Sequence, residues 1–366
     1  MKSYDLIVVG AGIVGAACAD YASAAGLRVA IIEPGPIGGA ATAAAMGHLV
    51  AMDDDPAEFV LAHYSLGLWE ALTDLPQAEY SRCGTLWVAA GEEELTRIPQ
   101  KLARLSAAGV AARAIDAEEL YRLEPILVAG LAGGLLVPHE AVVYPPAVAR
   151  YLVERARQRG AEFYPIHASH LEASAGVRLE DGTGLSGPVL VTTGCALPQL
   201  LPGLPLRPRK GHLVITDRYP GTVHHQVLEL GYADSAHGEA DSSVAFNVQP
   251  RPTGQILIGS SREYSATTSE VSMPMVQRML ERTFRFMPAL RQLDALRIWT
   301  GFRPVSADGL PYLGRVAGQQ DVWVAAGHEG LGVTTSLGSA HLVIDQLLGL
   351  QPAIDPQPYD PARVAA

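Results

Sequence analysis

The fold is indicated near the amino terminus by the stretch Asp5-Leu-Ile-Val-Val-Gly-Ala-Gly-Ile-Val-Gly15. The continuous apolar run before the first glycine is typical of a strand buried on both faces of a parallel sheet. Three glycines follow in the spacing G-x-G-x-x-G, and an alanine-rich stretch from Ala16 to Ala25 then ends at Gly26. Since glycine commonly ends a helix, we expect a strand, a tight turn and a helix in succession.

A second apolar segment, Leu27 to Ile32, is followed by Glu33, which lies 18 residues beyond Gly15. In this context Gly10 permits the tight turn, Gly12 lets the backbone approach a pyrophosphate, and Gly15 lets the helix pack closely on the strand. The N–H groups at the start of the helix attract phosphate, and Glu33 can accept hydrogen bonds from ribose hydroxyls. The pattern therefore predicts a dinucleotide site.

Small side chains dominate the segment Gly38-Gly-Ala-Ala-Thr-Ala-Ala-Ala-Met-Gly-His48. Such a segment lets the backbone lie against a flat, extended ligand, and the Thr42 hydroxyl can donate to a phosphate. A short alanine-rich helix over residues 40–45 is compatible with this interpretation. His48 follows Gly47 and either faces the ligand or is a buried structural histidine.

Composition excludes several classes of protein. The chain has 366 residues and a formal charge of −11, so a basic surface for nucleic acid or anionic lipid is not expected. Its three cysteines form no metal-binding or disulfide pattern, and we expect no metal site. The apolar run at residues 6–19 is too short to span a bilayer and lacks the features of a signal peptide. We expect a cytoplasmic protein, with peripheral attachment to the inner membrane as an open alternative.

The remaining pattern alternates helices and strands. Helices are predicted at residues 57–75, 92–108, 146–160 and 273–287, and from the glycines at 327–332 through residue 348. Buried strands are predicted at residues 161–166, 188–194 and 322–326, a hairpin turn at residues 180–183, and mostly strand-like segments between residues 211 and 300. The proline-rich tail from Pro352 is expected to be loosely ordered.

Four motifs together carry a resemblance to a known family. They are the amino-terminal fingerprint, Val191-Thr-Thr-Gly194, Trp299-Thr-Gly-Phe-Arg-Pro304 with Asp308-Gly-Leu-Pro311, and Gly327-His-Glu-Gly-Leu-Gly332. In this order and spacing the chain resembles the FAD-dependent D-amino acid oxidase superfamily, whose glycine and sarcosine oxidases and bacterial D-amino acid and D-hydroxyproline dehydrogenases are the nearest in pattern. The resemblance implies an α/β fold in which a Rossmann-type FAD-binding domain (1–78, 139–210 and 301–366) is interleaved with a mainly antiparallel α+β substrate-binding domain (79–138 and 211–300).

The resemblance also implies which residues contact FAD. They are Gly10, Gly12, Ile13, Val14, Gly15, Glu33, Pro34, Thr42, Gly47, His48, Ala168, Thr193, Gly194, Gly327, Gly330, Leu331, Gly332, Val333 and Thr334. A helix starting near Thr334 would direct its positive end at the flavin. The chain departs from the family in carrying Thr192 and Thr193 where alanines are commoner. No cysteine stands at the position of covalent attachment, so we expect noncovalent FAD.

Arg303 is the candidate that the resemblance favours most strongly for binding a substrate carboxylate, because its planar guanidinium can make two parallel hydrogen bonds. Asn247, Tyr232, His48 and Glu329 are further candidates for binding the carboxylate, the amine or a ring hydroxyl. An aromatic residue and an arginine are commoner in the family at the positions of Glu329 and Gly330, which puts glycine oxidase specificity in doubt. Arg209 and Lys210 are expected at a domain junction without a functional role.

The implied reaction is hydride transfer from an amino acid to flavin N5, which gives the imine. The string Met46-Gly-His-Leu-Val-Ala-Met-Asp-Asp54, with Glu329, most resembles D-hydroxyproline dehydrogenases and favours D-proline or cis-4-hydroxy-D-proline. Alternatives are a glycine, sarcosine or broad D-amino acid oxidase, a flavin subunit of a multi-subunit amine dehydrogenase and, disfavoured by the acidic charge, a tRNA-modifying flavoenzyme. The electron acceptor stays open between oxygen, a quinone and a partner protein, as does the oligomeric state.

Overall fold

The computed structural model describes residues 1–52, 55–173, 175–231, 241–264 and 266–364. The strands are β1 Lys2–Ser3, β2 Leu6–Val9, β3 Val29–Ile32, β4 His48–Leu49, β5 Thr85–Ala89, β6 Arg113–Asp116, β7 Gly133–Val137, β8 Ala141–Val142, β9 Glu162–Tyr164, β10 Ala168–Leu171, β11 Gly176–Leu179, β12 Gly184–Ser186, β13 Val189–Val191, β14 Arg207–Arg218, β15 Gln226–Glu229, β16 Ser242–Pro250, β17 Gln255–Glu263, β18 Ala295–Val305, β19 Tyr312–Arg315 and β20 Val322–Ala326. The helices are α1 Ile13–Ala24, α2 Ala40–Ala44, α3 Pro56–Trp69, α4 Glu92–Leu95, α5 Ile98–Ala107, α6 Ala117–Leu123, α7 Pro145–Gln158, α8 Leu197–Leu200, α9 Met273–Phe286 and α10 Gly332–Leu347.

The amino-terminal strand lies in the interior of a largely parallel sheet. Among the described residues the strand order is β19-β20-β13-β2-β3-β9, and only β19 runs antiparallel to its neighbour. All residues of β2, β3 and β13 are buried. Helices α1, α7 and α10 cover one face, and the small sheet β1-β12-β11-β10 packs on the other. This double cover explains why the strand sequences are continuously apolar.

A second, larger sheet has the order β18-β14-β17-β16-β15-β5-β7-β6 within the described part of the chain. Its neighbours pair antiparallel except β15 with β5. Apolar side chains of α9 pack against it in a core of their own, and α5 contributes to a further cluster. The chain therefore has the α/β fold that the sequence predicts, whereas the division at residues 79–138 and 211–300 stays a prediction.

Three helices differ from the predicted bounds for local reasons. The predicted helix at 92–108 is divided into α4 and α5, and Pro99 occupies the first turn of α5, where its missing N–H costs nothing. The predicted helix at 57–75 ends as an α-helix at Trp69 and continues as one 3₁₀ turn through Leu72. Helix α1 begins at Ile13, three residues before the predicted start, because the fingerprint glycines themselves lead into its first turn.

The prediction of a loosely ordered tail is wrong. Residues Gln357–Tyr359 and Pro361–Val364 form 3₁₀ turns. The Tyr359 ring is buried, and its hydroxyl donates to the Ala57 carbonyl over 2.6 Å. Arg363 donates from Nε to Asp308 over 2.7 Å. The prolines start these turns and the two side chains fix them to the body, so proline content alone did not indicate disorder.

Candidate active site

A large cavity of about 1750 Å³ lies between the carboxyl ends of β2, β3 and β13 and one face of the larger sheet. Small-molecule sites usually measure roughly 300–1,000 Å³, so this cavity has room for a dinucleotide together with a second ligand. Both sheets contribute to its wall, as do the segment 39–48 and the loop 327–332. Ligands of open α/β sheets bind at the carboxyl ends of the strands, which is where this cavity begins.

The fingerprint turn can be formed only by glycine at two of its positions. Gly10 has a φ of +108°, and a Cβ on Gly15 would come within 2.0 Å of the Gly10 carbonyl oxygen. The hydroxyl of Thr192 fills the remaining space, lying 2.9 Å from the carbonyl oxygens of Val9 and Gly10. Threonine at position 192 thus ties β13 to the turn, which gives a physical role to one departure from the family pattern.

Glu33 holds the fingerprint loop in place. Its Oε2 accepts from the Ala11 N–H over 2.9 Å, and its Oε1 accepts from the Gly35 N–H over 2.8 Å. A carboxylate offers about four acceptor positions, so capacity for ribose hydroxyls remains after these two bonds. The residue predicted to bind ribose therefore also fixes the backbone beside it.

Two hydroxyl groups, those of Thr42 and Thr193, lie at the end of the cavity beside the fingerprint turn. Thr42 accepts from the Ile13 N–H over 3.0 Å, so its own hydrogen is available for a phosphate at the start of α1. The buried Oγ1 of Thr193 has no hydrogen-bond partner among the residues that the structure describes. The start of α1, the Thr193 hydroxyl and the glycine-lined turn fit a dinucleotide, and the cavity size fits FAD.

The cavity wall includes most residues predicted to bind FAD. These are Gly10, Gly12, Ile13, Val14, Glu33, Pro34, Thr42, Gly47, His48, Ala168, Thr193, Gly194, Gly327, Gly330, Leu331, Gly332 and Val333. Gly15 lies behind the turn, and Thr334 lies behind the loop, where it donates to the His48 carbonyl over 2.9 Å. Both residues support neighbours that line the cavity, and their predicted contact with FAD stays a prediction.

The loop 327–332 is fixed to β18 and leads into α10, which begins at Gly332, two residues before the predicted start. The Glu329 N–H donates to the Pro304 carbonyl over 3.0 Å. His328 is buried against Ser339, with 2.9 Å between Nε2 and Oγ, and burial lowers its pKa to about 4. A neutral imidazole therefore supports the loop.

Arg303 reaches the cavity from β18, as predicted. Its guanidinium lies directly over Gly211, since a Cβ there would approach Nη1 within 2.5 Å. Nη1 also donates to the Ser261 carbonyl over 3.1 Å. Gly211 faces Gly301 across the β14–β18 pair; a Cβ on Gly301 would lie 2.3 Å from the Ala44 Cβ, so the first glycine leaves space for the guanidinium and the second for α2.

His48 and Asn247 stand at the same end of the cavity. His48 Nε2 and Asn247 Oδ1 are buried close to one another, and within the described residues neither makes a well-formed hydrogen bond. Burial lowers the pKa of His48 to about 4; the Asn247 amide opposes this shift, and the Arg251 charge adds to it. The imidazole is therefore neutral near pH 7, and both groups can bind a polar atom of a ligand. Tyr232, the remaining candidate, lies outside the described residues.

Several cavity residues were not predicted. Leu228 pairs with Trp87 on one neighbouring strand and with Asn247 on the other, so the three side chains form a row on one sheet face. Arg262 also lines the cavity. Single apolar residues in a strand carry no functional signal of their own, and only the strand order brings them beside Asn247.

Arg209, which was expected at a domain junction without a functional role, lines the cavity between the two sheets, and its functional role stays untested. It is buried and forms an ion pair with Glu329. The alternation of Arg209, Gly211 and Leu213 along β14 would have indicated a shared face, and all three line the cavity. Lys210 points elsewhere and donates to the Glu270 carbonyl over 2.5 Å.

Within the described ranges, no group of three His, Cys, Asp or Glu side chains is arranged to hold a metal ion. No helix in those ranges is long and apolar enough to cross a bilayer.

The chain is similar in sequence and in structure to known proteins of one family. The sequence model of the family described as FAD dependent oxidoreductase (DAO) matches residues 5–346. The chain is 28% identical to a glycine oxidase of Pseudomonas aeruginosa, over 98% of this chain and 99% of the relative. It is 27% identical to a glycine oxidase of Bacillus licheniformis, over 95% and 94%. The crystal structure of glycine oxidase from Geobacillus kaustophilus superposes with a TM-score of 0.87 at 26% identity, covering 98% of each chain.

Proposed function

This chain belongs to the FAD-dependent oxidoreductase (DAO) family, and from that premise we propose that it oxidises D-proline or cis-4-hydroxy-D-proline to the cyclic imine. The family and the relatives support the activity class, an FAD-dependent amino acid oxidoreductase. The preference for a cyclic D-amino acid as substrate is our proposal. The observation that carries it is the pair of buried polar side chains, His48 and Asn247, that stand beside one another in the cavity wall next to an apolar row.

FAD, when bound, accepts the two electrons that the substrate loses from its Cα–H bond. The fingerprint turn, Glu33 and the start of α1 would hold its adenosine and pyrophosphate, and the loop 327–332 would lie along its ring. The substrate nitrogen loses a proton to water as the carbon–nitrogen double bond forms. The residues of the chain then have to bind and orient the substrate and to exclude bulk water from the reacting carbon.

Arg303 suits the carboxylate of the substrate. Its guanidinium is held over Gly211 and by the Ser261 carbonyl, so its donors have a fixed direction before the substrate arrives. A bidentate contact of this kind fixes the orientation of the carboxylate as well as its distance. Positioning of this type supplies a large part of the rate in enzymes that bring two reacting groups together.

Asn247 and His48 suit the polar atoms of the ring. Oδ1 of Asn247 can accept from a neutral amine N–H or from a 4-hydroxyl, and the neutral His48 ring can donate or accept at Nε2. Leaving such atoms buried without a partner costs about 1–3 kcal/mol each. A ligand that forms hydrogen bonds with both atoms should therefore bind more tightly than a ligand that forms neither bond.

Leu228 and Trp87 support a substrate larger than glycine. They continue the row from Asn247 across two strands, and Met52 adds a further apolar side chain to the cavity wall. A pyrrolidine ring would bury its methylene groups on this surface, whereas glycine has none to bury. Each buried methylene contributes about 0.8 kcal/mol.

Anaerobic reduction of the FAD-loaded enzyme tests the proposal. We expect the yellow absorbance to bleach with D-proline and cis-4-hydroxy-D-proline at lower concentration than with glycine, sarcosine or either L-enantiomer. Bleaching by primary L-amino acids alone would contradict it. Reoxidation by oxygen or by a soluble quinone, followed in the same cuvette, identifies the acceptor.

Glycine or sarcosine oxidation is the second candidate, favoured by the names of the relatives. It predicts that glycine and sarcosine reduce the enzyme at least as readily as the cyclic amines. Substitution Leu228→Phe separates the two, because filling the apolar row should impair D-proline oxidation, whereas glycine has no ring methylene groups on that row and its oxidation should be nearly unchanged.

A further inference from the structure

A buried histidine, His212, lies on β14 beside the place where Arg303 enters the cavity. It follows Gly211, the glycine over which the Arg303 guanidinium lies. Gly211 and Leu213 line the cavity, and because side chains alternate along a strand, the His212 ring points to the opposite face of the sheet. The ring is fully buried there. The two faces are connected through Ser261 on the neighbouring strand β17.

The pairing of β14 with β17 is irregular at this point, since the register shifts within residues 210–214 of β14. Within the shifted stretch, the His212 N–H donates to the Ser261 hydroxyl over 2.9 Å. The Ser261 carbonyl accepts from Arg303 Nη1 over 3.1 Å. Such irregularities often reorient groups next to active sites. Here one serine binds β14 through its hydroxyl and the arginine through its carbonyl.

The hydrogen bonds of the His212 ring define its tautomer. Nε2 accepts from the Ser272 N–H over 3.0 Å, so Nε2 carries no hydrogen. The hydrogen of the neutral ring is therefore on Nδ1, which lies 2.9 Å from Ser261 Oγ and donates to it. His212 thus binds the Ser261 hydroxyl twice, from its main chain and from its ring.

The ring is neutral near pH 7. Burial is the main cause that lowers the pKa of His212 to about 4, and the charges of Lys210 and Arg303 lower it further. The Glu263 carboxylate lies 3.7 Å from Nδ1, which is beyond hydrogen-bond distance. A neutral ring can accept at Nε2 and donate at Nδ1 at the same time, whereas a protonated ring can only donate.

The far side of the ring is attached to a fixed segment. Ser272 stands immediately before α9. Three residues earlier, the Ser269 carbonyl accepts from the hydroxyl of Thr300, which is opposite His212 on β18, over 2.6 Å. The imidazole is therefore held at Nε2 by a segment that is itself bound to the sheet, while Nδ1 holds Ser261.

We propose that His212 is a positioning residue for Arg303: through Ser261 it fixes the direction of the guanidinium, and so the binding of the substrate carboxylate, without touching the substrate. Arg303 is not held by Ser261 alone, since it also packs over Gly211 and makes a further interaction. We therefore expect a moderate loss of substrate binding when His212 is changed. This inference rests on the proposed amino acid oxidation, in which Arg303 binds the carboxylate.

Two substitutions of His212 separate its two hydrogen bonds. Asparagine places an amide N–H near the position of Nδ1 and can keep the bond to Ser261, whereas glutamine places its amide oxygen near Nε2 and can keep the bond to Ser272. In the FAD-loaded enzyme we expect His212→Gln to raise the KM for D-proline by about threefold to tenfold, the effect of one lost hydrogen bond, with a smaller change in kcat. His212→Asn should keep the KM within about twofold of the parent. Equal KM values in the two variants would overturn the proposal.

Ser261→Ala tests the route from His212 to Arg303, because it removes the hydroxyl that His212 binds and keeps the carbonyl that Arg303 binds. We expect a rise in KM similar to that of His212→Gln. In the double variant the KM should exceed that of either single variant by no more than about twofold, since both changes break the same contact. If the two increases multiply instead, His212 does not act through Ser261.

Val214→Ala is the matched control for a purely structural effect. Val214 is buried two residues further along the same face of β14, in the core under α9. Its truncation should lower the melting temperature and leave the KM for D-proline unchanged. A rise in KM as large as that of His212→Gln would show that destabilising β14 is sufficient, which contradicts a specific role for His212.

Ligand binding gives a readout that is independent of turnover. Benzoate and its uncharged analogue benzamide can be titrated into each FAD-loaded variant and followed by the flavin absorbance. We expect the preference for benzoate to fall in His212→Gln and Ser261→Ala and to persist in His212→Asn and Val214→Ala. An unchanged preference in all four variants would overturn the proposal. If no amino acid reduces the parent enzyme, the proposed function has failed, while these titrations still decide the role of His212.

Discussion

Arg303 owes its fixed direction to glycine on the neighbouring strand. Any side chain at position 211 would occupy the place of the guanidinium, since a Cβ would lie 2.5 Å from Nη1 and 3.0 Å from Cζ. The arginine and the glycine therefore act as one unit, in which the absence of a side chain on β14 defines where the side chain on β18 points.

Substituting Arg303 should separate cofactor binding from substrate binding. We expect Arg303→Ala and Arg303→Lys to keep FAD and to raise the KM for the amino acid by about tenfold to a hundredfold, because a charge-assisted hydrogen bond contributes about 1.5–3 kcal/mol. Steady-state kinetics with a flavin absorbance spectrum measure both. Arg297→Ala, on an exposed part of the same strand, is the control and should leave the KM unchanged. A normal KM in Arg303→Ala would place the carboxylate elsewhere.

Gly15 and Gly67 offer a matched pair of helical glycines. A Cβ on Gly15 would lie 2.0 Å from the Gly10 carbonyl oxygen, whereas a Cβ on Gly67 would meet nothing within 4 Å. Gly15→Ala must push α1 away from the turn, so we expect loss of FAD and a lower melting temperature. Gly67→Ala should instead stabilise the protein by about 0.5–1 kcal/mol, since alanine favours helix. FAD content and thermal unfolding measure the two outcomes, and retention of FAD in Gly15→Ala would contradict the close packing.

At the scale of elements, the segment 46–48 connects the two sheets. Gln249 Nε2 donates to the Met46 carbonyl over 2.6 Å, and Arg251 Nη1 donates to the same carbonyl over 3.4 Å. The carbonyl of His48 accepts from Thr334 on α10. The segment is therefore fixed by β16 and its following turn from one side and by α10 from the other, which places His48 at the cavity.

Arg251 is the central contact of this fixation. It is buried, and its Nη2 donates to Glu79 over 2.8 Å in addition to its bonds to backbone carbonyls. We expect Arg251→Met to lower the free energy of unfolding by about 3 kcal/mol, because carbonyls and a carboxylate lose their partner at once. Denaturant unfolding measures this. The control Arg82→Met breaks an exposed ion pair with Glu70 and should cost under about 1 kcal/mol. Equal losses of unfolding free energy in the two variants would show that the burial of Arg251 does not increase its contribution to stability.

Elements with strong local signals were predictable, and those decided by distant contacts were not. Strands β2 and β3 and helix α1 follow from apolar runs and glycines within about 30 residues, as such signals allow. The ordered tail was missed because its order depends on Tyr359 reaching Ala57 and on Arg363 reaching Asp308. Neither contact leaves a trace in the local pattern.

At the scale of the whole molecule, the cavity joins parts of the chain that lie far apart in sequence. Glu33, Thr193 and the loop 327–332 could be predicted because each belongs to a motif. The row of Asn247, Leu228 and Trp87 and the pair of Arg209 with Glu329 depend on strand order and register, which single residues do not encode. More of the residues that line the cofactor end of the cavity than of those that line the substrate end could therefore be predicted from the sequence.

The burial of three histidines makes the stability of the whole molecule depend on pH. Burial lowers the pKa of His48, His212 and His328 to about 4 each. In the unfolded chain these groups bind protons near pH 6.5, whereas the folded chain binds them only near pH 4. The unfolded state therefore holds more protons between pH 6.5 and 4, so stability falls as the pH is lowered through this window.

The slope should approach about 1.4 kcal/mol per pH unit for each histidine, and about 4 kcal/mol per pH unit for the three together. Denaturant unfolding at intervals between pH 7 and pH 4 measures it. His328→Asn should reduce the slope by about one third, because the amide can still bond to Ser339 but does not take up a proton. Replacing the exposed His170 with Asn should leave the slope unchanged. A stability that is flat between pH 6.5 and 5 would mean that the folded protein protonates these rings as readily as the unfolded chain does.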